Sequence, residues 1–127
     1  MPARLRRADP ALVAQALARF RGGEADPADL RLLSKHLLAL LVAKAPGGAV
    51  EVRVPPYAVA QCVAGTRHTR GTPPAVVETD PATWVGLAVG DLSWEQAAEE
   101  GRLRSSGERS DLTPLLPLLD PDFRHSG

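Results

Sequence analysis

Three of the four Asp-Pro pairs, at residues 9–10, 26–27 and 80–81, set the order of elements in this 127-residue chain. An aspartate before a helix accepts hydrogen bonds from the free N–H groups of the first turn, and proline suits the first helical position. Each pair precedes a run of apolar residues at helical spacing, so each predicts a helix start. Glycines at 22–23 and 90 predict helix ends, because glycine readily takes the left-handed conformation.

The first two Asp-Pro pairs predict a pair of antiparallel helices within residues 1–46. In the first helix, Val13, Leu17 and Phe20 fall on one face, which predicts burial of one side. The second helix has a long leucine stripe made of Leu30, Leu33, Leu37, Leu40 and Leu41. We expect this second helix to be buried on more than one side.

Four short strands are predicted after the helix pair. Residues 50–54 alternate valine with charged side chains, which is the period of a half-buried strand. Pro-Pro at 55–56 does not fit a central strand and predicts a turn. The second strand is expected at 57–63, with one face of small residues, and the others at 75–79 and 103–106.

The second half of the chain contains two glycine motifs between predicted elements. Gly90-Asp91-Leu92 separates two helices, and Gly101-Arg-Leu-Arg-Ser-Ser-Gly107 is followed by a leucine-rich run. This order of elements resembles the C-terminal half of the sterol carrier protein 2 family. The whole chain is similar to short actinobacterial sterol carrier family proteins, and the segments with that closer likeness are residues 50–57, 67–74 and 77–81.

The resemblance implies an α+β fold: a four- or five-stranded, mostly antiparallel sheet covered by helices, here with an N-terminal helix pair. We expect one domain, in which residues 1–46 form the helix pair, 47–119 the sheet and helix core, and 120–127 a tail. In that family, an apolar tunnel between sheet and helices takes lipids or acyl chains. The resemblance therefore implies non-catalytic binding of a hydrophobic or amphipathic small molecule, with no cofactor.

Composition limits the partners. Fifteen basic and fifteen acidic side chains cancel, so no overall field favours nucleic acid or an anionic membrane. No apolar run reaches the roughly 18–20 residues of a spanning helix, and we expect no stable membrane insertion. The single cysteine, Cys62, rules out an internal disulfide, and a reducing cytoplasm is the simplest location.

A ligand pocket is expected between the sheet and the helices of residues 80–119. The residues assigned to it are Trp84, Leu87, Trp94, Leu112, Leu115 and Leu116, with Arg67, His68 and Arg70 near its mouth. The two arginines and the histidine are suited to a carboxylate or phosphate head group. A solvated turn whose arginines pair with nearby acids is the alternative interpretation.

Two further functions stay open at this level. The leucine-rich end of the chain, or the helix of residues 30–41, would serve a protein-interaction or homodimer interface if the core is filled. An enzyme would have to use Cys62 or His68, and no third group at a recognisable spacing orients such a nucleophile. The histidines at 36, 68 and 125 are too scattered for a metal motif, and we expect His36 on the helix surface.

Overall fold

The computed structural model describes residues 5–65, 74–107 and 110–119. Within these ranges the elements follow in the order α1 (Pro10–Arg21), α2 (Pro27–Lys44), β1 (Val50–Val54), β2 (Ala58–Cys62), β3 (Ala75–Thr79), α3 (Pro81–Val89), α4 (Trp94–Glu99), β4 (Leu103–Ser106) and a short 3-10 helix (Thr113–Leu115). The predicted order of strands and helices is confirmed.

The helix starts lie at the Asp-Pro pairs. The side chains of Asp9, Asp26 and Asp80 each accept a hydrogen bond from a backbone N–H in the first turn of the following helix. Gly90 ends α3 with φ at 85°, in the left-handed region that glycine takes without strain. These helix boundaries could be predicted because they depend on residues only a few positions apart.

Only half of a capping box forms at the start of α4. Ser93 Oγ accepts from the Gln96 N–H. The Gln96 side chain, however, donates to Glu100 instead of returning to the cap. A closed capping box lies at the start of α2, where Asp26 and Asp29 each accept from the other's backbone N–H. The strongest cap therefore belongs to the longest described helix.

The four strands form one mixed sheet in the order β2-β1-β3-β4. The hairpin β1–β2 turns at the Pro-Pro pair as predicted, and β3–β4 is also antiparallel. The two central strands, β1 and β3, are parallel, with Val52 beside Val77. The fold is α+β, and the prediction of a four-stranded, mostly antiparallel sheet is confirmed.

The two faces of the sheet differ in what covers them. Val50, Val52 and Val54 are fully buried in the hydrophobic core together with the leucines of α2. The opposite face presents charged side chains and Val59, which is 57% exposed. In the described part of the chain, the helices thus lie against one face, as the alternation of residues predicted.

The interior is closed by α3, which is buried all round. Every residue from Thr83 to Val89 is buried, so this helix is covered on all sides and not on one face alone. Trp84 is only 1% exposed, and its indole N–H donates to the backbone oxygen of Ser34 over 3.3 Å. This bond joins α3 to α2 at the centre of the molecule. None of the described helices is both long and apolar enough to cross a membrane.

Candidate functional site

Residues 110–119, here called the terminal segment, run over the ends of α2 and α3 after the last strand. The Lys44 ammonium at the end of α2 donates to the backbone oxygen of Leu115 over 2.8 Å. The Leu118 N–H donates to the backbone oxygen of Ala88 over 2.7 Å. The segment is therefore tied to two helices that cover the sheet.

The terminal segment enters the core through side chains. Leu112 and Leu119 are buried in the same hydrophobic cluster as the sheet valines, while Leu115 and Leu116 pack against that cluster half exposed. Prolines at 114 and 117 limit the helical structure to one 3-10 turn, because proline breaks an α-helix. The segment therefore covers the core without a regular helix of its own.

The structure brings the predicted apolar site residues to one place. Trp84, Leu87 and Leu112 are buried members of the core, and the other three pack against it half exposed; those three are Trp94, Leu115 and Leu116. The buried three are packed into the core. The predicted mouth residues Arg67, His68 and Arg70 lie outside the described residues.

A buried serine in this interior was missed by sequence reasoning. Ser34 Oγ is inaccessible to solvent and has no hydrogen-bond partner in the described part of the chain, although the carbonyl of the same residue accepts from Trp84. An unpaired buried hydroxyl is unfavourable by about 1–3 kcal/mol. The available signal was a serine inside a leucine-rich helix. Ser34 offers a free hydrogen-bonding group beside Trp84.

The cysteine considered as a nucleophile lies on the inner face of the sheet. Cys62 is fully buried, and this burial raises the pKa of its thiol to about 11. The thiol is therefore protonated near neutral pH, whereas thiolate is the reactive form. No group of three or more His, Cys, Asp or Glu residues that could hold a metal ion occurs among the described residues.

An open groove with a volume of about 310 Å³, here called the outer groove, lies between the start of α1, the middle of α2 and the terminal segment. Its lining consists of Arg7, Ala8, Pro10, Val13, His36, Leu40, Leu118 and Leu119. Another open depression of about 350 Å³ lies at the Pro-Pro turn, on the uncovered side of the sheet. Neither hollow contains a residue that the sequence assigned to the site.

His36 is not on the helix surface, as the sequence suggested, but is only 8% exposed. Its Nδ1 accepts a hydrogen bond from the Ala8 N–H over 2.9 Å. Burial, and then the nearby Arg7 charge, lower the pKa of the imidazole. The chain before α1 explains the error, because it folds back over α2 and covers a residue that the helical pattern leaves open.

Comparison with known proteins agrees with this architecture. A family model described as "Bacterial SCP ortholog", that is, sterol carrier protein ortholog, matches residues 26–118, from α2 through most of the terminal segment and almost three quarters of the chain. No curated protein matches the sequence. The match and the mixed sheet with helices on one face confirm the resemblance drawn from the glycine motifs. The chain belongs to the bacterial family of sterol carrier protein-like proteins.

Proposed function

We propose that this protein binds a hydrophobic or amphipathic small molecule and does not transform it. The family suggests a carrier role for lipids or other apolar compounds in general terms. We further propose where the ligand binds and that the protein catalyses no reaction on it. The protonated, buried thiol of Cys62 supports a passive role.

The ligand site is the space beneath the terminal segment, and one observation carries this assignment. The segment supplies Leu112 and Leu119 to the core, yet two described hydrogen bonds tie it to the helices: the Lys44 ammonium donates to the Leu115 oxygen, and the Leu118 N–H donates to the Ala88 oxygen. Its described helical structure is a single 3-10 turn. Segments with little regular structure open at lower free energy than the fold as a whole. When the segment opens, Leu112 leaves apolar core surface for a ligand to cover.

Exchange of one apolar contact for another offsets most of the free energy needed to open the segment. A buried leucine gains about 1.5–3 kcal/mol from leaving water, and a lipid chain in its place recovers a similar amount per area. The unpaired Ser34 hydroxyl gives a polar ligand group a partner beside Trp84. The site therefore suits a molecule that is mostly apolar with one hydrogen-bonding group.

Native mass spectrometry with added fatty acids, sterols and isoprenoid alcohols tests the proposal. We expect the parent protein to take up one molecule of at least one class. Leu112→Ala should bind it more tightly, because the shortened side chain leaves room beneath the segment. Leu12→Ala is the matched control, since Leu12 is 49% exposed on α1. A clean apo mass for parent and Leu112→Ala with every compound would contradict the proposal.

A protein-interaction module is the second candidate, and the packing of the interior favours it. Trp84, Leu87 and Leu112 fill the core, while Leu115 and Leu116 remain half exposed next to each other. An apolar strip of this kind is a common interface feature. Light scattering of the parent and of Leu116→Asp tests it: the parent should be a dimer that the variant splits without unfolding. A monomeric parent would remove this candidate.

A further inference from the structure

The outer groove has the construction of a second binding site, separate from the space beneath the terminal segment. Its floor is apolar and continuous with the core, because Val13 and Leu119 are buried members of the hydrophobic cluster. Leu40 and Leu118 form half-exposed walls. A volume of about 310 Å³ is at the lower end of the range for small-molecule pockets, which suits a compact ligand.

Both walls of the outer groove are held by hydrogen bonds. On one side the Ala8 N–H donates to His36 Nδ1, which fixes the chain before α1 against α2. On the other side the Leu118 N–H donates to the Ala88 oxygen. A site whose walls are already positioned loses little conformational freedom on binding.

The polar groups of the outer groove are donors without a partner. Because Nδ1 of His36 accepts from Ala8, the neutral ring has its proton on Nε2, and the described contacts leave that N–H without an acceptor. Arg7 adds a cationic side chain to the same lining, and no lining residue is acidic. Asp9 is close in sequence, but its carboxylate caps α1 through the Ala11 N–H.

We infer that the outer groove binds a compact apolar monocarboxylate, whose carboxylate accepts from His36 and pairs with Arg7. A carboxylate is the group that two donors in one lining, one of them charged, recognise best. The apolar body of the ligand lies on Leu40 and Leu118, where it covers half-exposed apolar surface that water now contacts. This inference does not rest on the proposed function, although the terminal segment contributes Leu118 and Leu119 to the lining of the outer groove.

Amide NMR titration of the full-length protein with sodium octanoate tests the inference. We expect a dissociation constant on the order of 1 mM, with the largest shifts at the Ala8 and Leu118 amides. The indole N–H of Trp84 reports on the interior and should stay unchanged. Hexanoate should bind more weakly, by about fourfold per methylene lost. Octylammonium, with the opposite charge, should not shift these amides.

Two variants separate the roles of the donors. Arg7→Gln should weaken octanoate binding by about two- to fivefold, the range for an exposed ion pair, and leave 1-octanol unaffected. His36→Asn keeps an acceptor near the Nδ1 position but lacks the Nε2 donor, so octanoate should weaken about tenfold. The Ala8 amide resonance checks whether its bond survives in that variant. Arg6→Gln is the matched control, since Arg6 is not in the lining.

Three results would overturn the inference. One is octanoate shifts centred on Trp84 in place of Ala8, which places the ligand in the interior. Another is equal affinity for octanoate and octylammonium. The third is an octanoate affinity of Arg7→Gln equal to that of Arg6→Gln. This comparison remains valid even if His36→Asn loses its hydrogen bond to Ala8. If any of these results occurs while the protein still takes up a ligand in the mass spectrometry experiment, the interior site is retained and the outer groove is rejected.

Discussion

The helix α2 and the terminal segment both place leucines in the same core, but they are held there by different means. The start of α2 has a closed capping box and a two-pronged ion pair between Arg19 and Asp29. Its buried residues extend over most of its length, from Asp29 to Leu41. The terminal segment buries Leu112 and Leu119 from irregular backbone.

This difference indicates that α2 stays packed as long as the protein is folded, and we call it the permanent side of the core. The terminal segment is instead a cover, which can open while the rest of the protein stays folded. Regular helix bonds and a long buried stripe make α2 cooperative with the whole fold. The terminal segment depends on a few contacts, so its opening exposes little surface and requires less free energy. Under the proposed function, the ligand therefore enters the core beneath the terminal segment.

The largest expected effect comes from the permanent side. Leu37 is fully buried in α2, and Leu37→Ala should lower the free energy of unfolding by about 2–5 kcal/mol. Urea unfolding followed by circular dichroism measures it. Leu12→Ala, on the exposed face of α1, should stay within about 0.5 kcal/mol of the parent. Equal effects of the two changes would show that α2 is not the anchor of the core.

Leu112→Ala should have a smaller effect on global stability, although Leu112 is just as buried. We expect about 1–3 kcal/mol, because the loss is limited by the small free energy that holds the terminal segment closed. The same urea experiment compares it with Leu37→Ala. A loss as large as that of Leu37→Ala would mean that the terminal segment belongs to the permanent core.

The ion pair at the start of α2 predicts an acid dependence. The hydrogen bond from Arg19 is the main cause that lowers the pKa of Asp29 from 3.8 to about 2. This stabilisation is present above pH 3.8, where the unfolded carboxyl is ionised, and is lost as pH falls toward 2. The urea midpoint of the parent should therefore fall across this window, and that of Asp29→Asn should fall less. Parallel curves would contradict the assignment.

His36 predicts the smallest effect, at higher pH. Its pKa is lowered from 6.5 by burial, so protonation is more favourable in the unfolded chain. Stability is complete above pH 6.5 and decreases as pH falls below that value. Because the Ala8 N–H can donate only to an unprotonated Nδ1, the Ala8 amide should lose its protection from hydrogen exchange before other amides as pH falls. His36→Asn should remove this loss of stability below pH 6.5. If the loss persists in the variant, a group other than His36 causes it.

Local features of this fold were predictable and long-range ones were not. The Asp-Pro caps, the Gly90 stop and the valine alternation each depend on neighbours in sequence, and all were confirmed. The parallel pairing of β1 with β3 depends on the connection between them, which no local pattern encodes. Burial of His36 likewise depends on where the chain before α1 folds back.

The candidate site shows the same division. The apolar residues assigned to the pocket were grouped by the family resemblance, and all of them belong to the core or pack against it. The burial of Leu112 depends on the path of the terminal segment, which two prolines make irregular. The outer groove was missed because its residues come from three separate segments of the chain.

Native-state hydrogen exchange of the Leu118 amide, compared with amides of α2 such as that of Leu41, tests the distinction between anchor and cover most directly. The account predicts that Leu118 exchanges through an opening at least about 2 kcal/mol less costly than that of Leu41, and with little dependence on urea. Equal opening free energies with equal urea dependence would show that the terminal segment separates only when the whole protein unfolds, and would contradict the account.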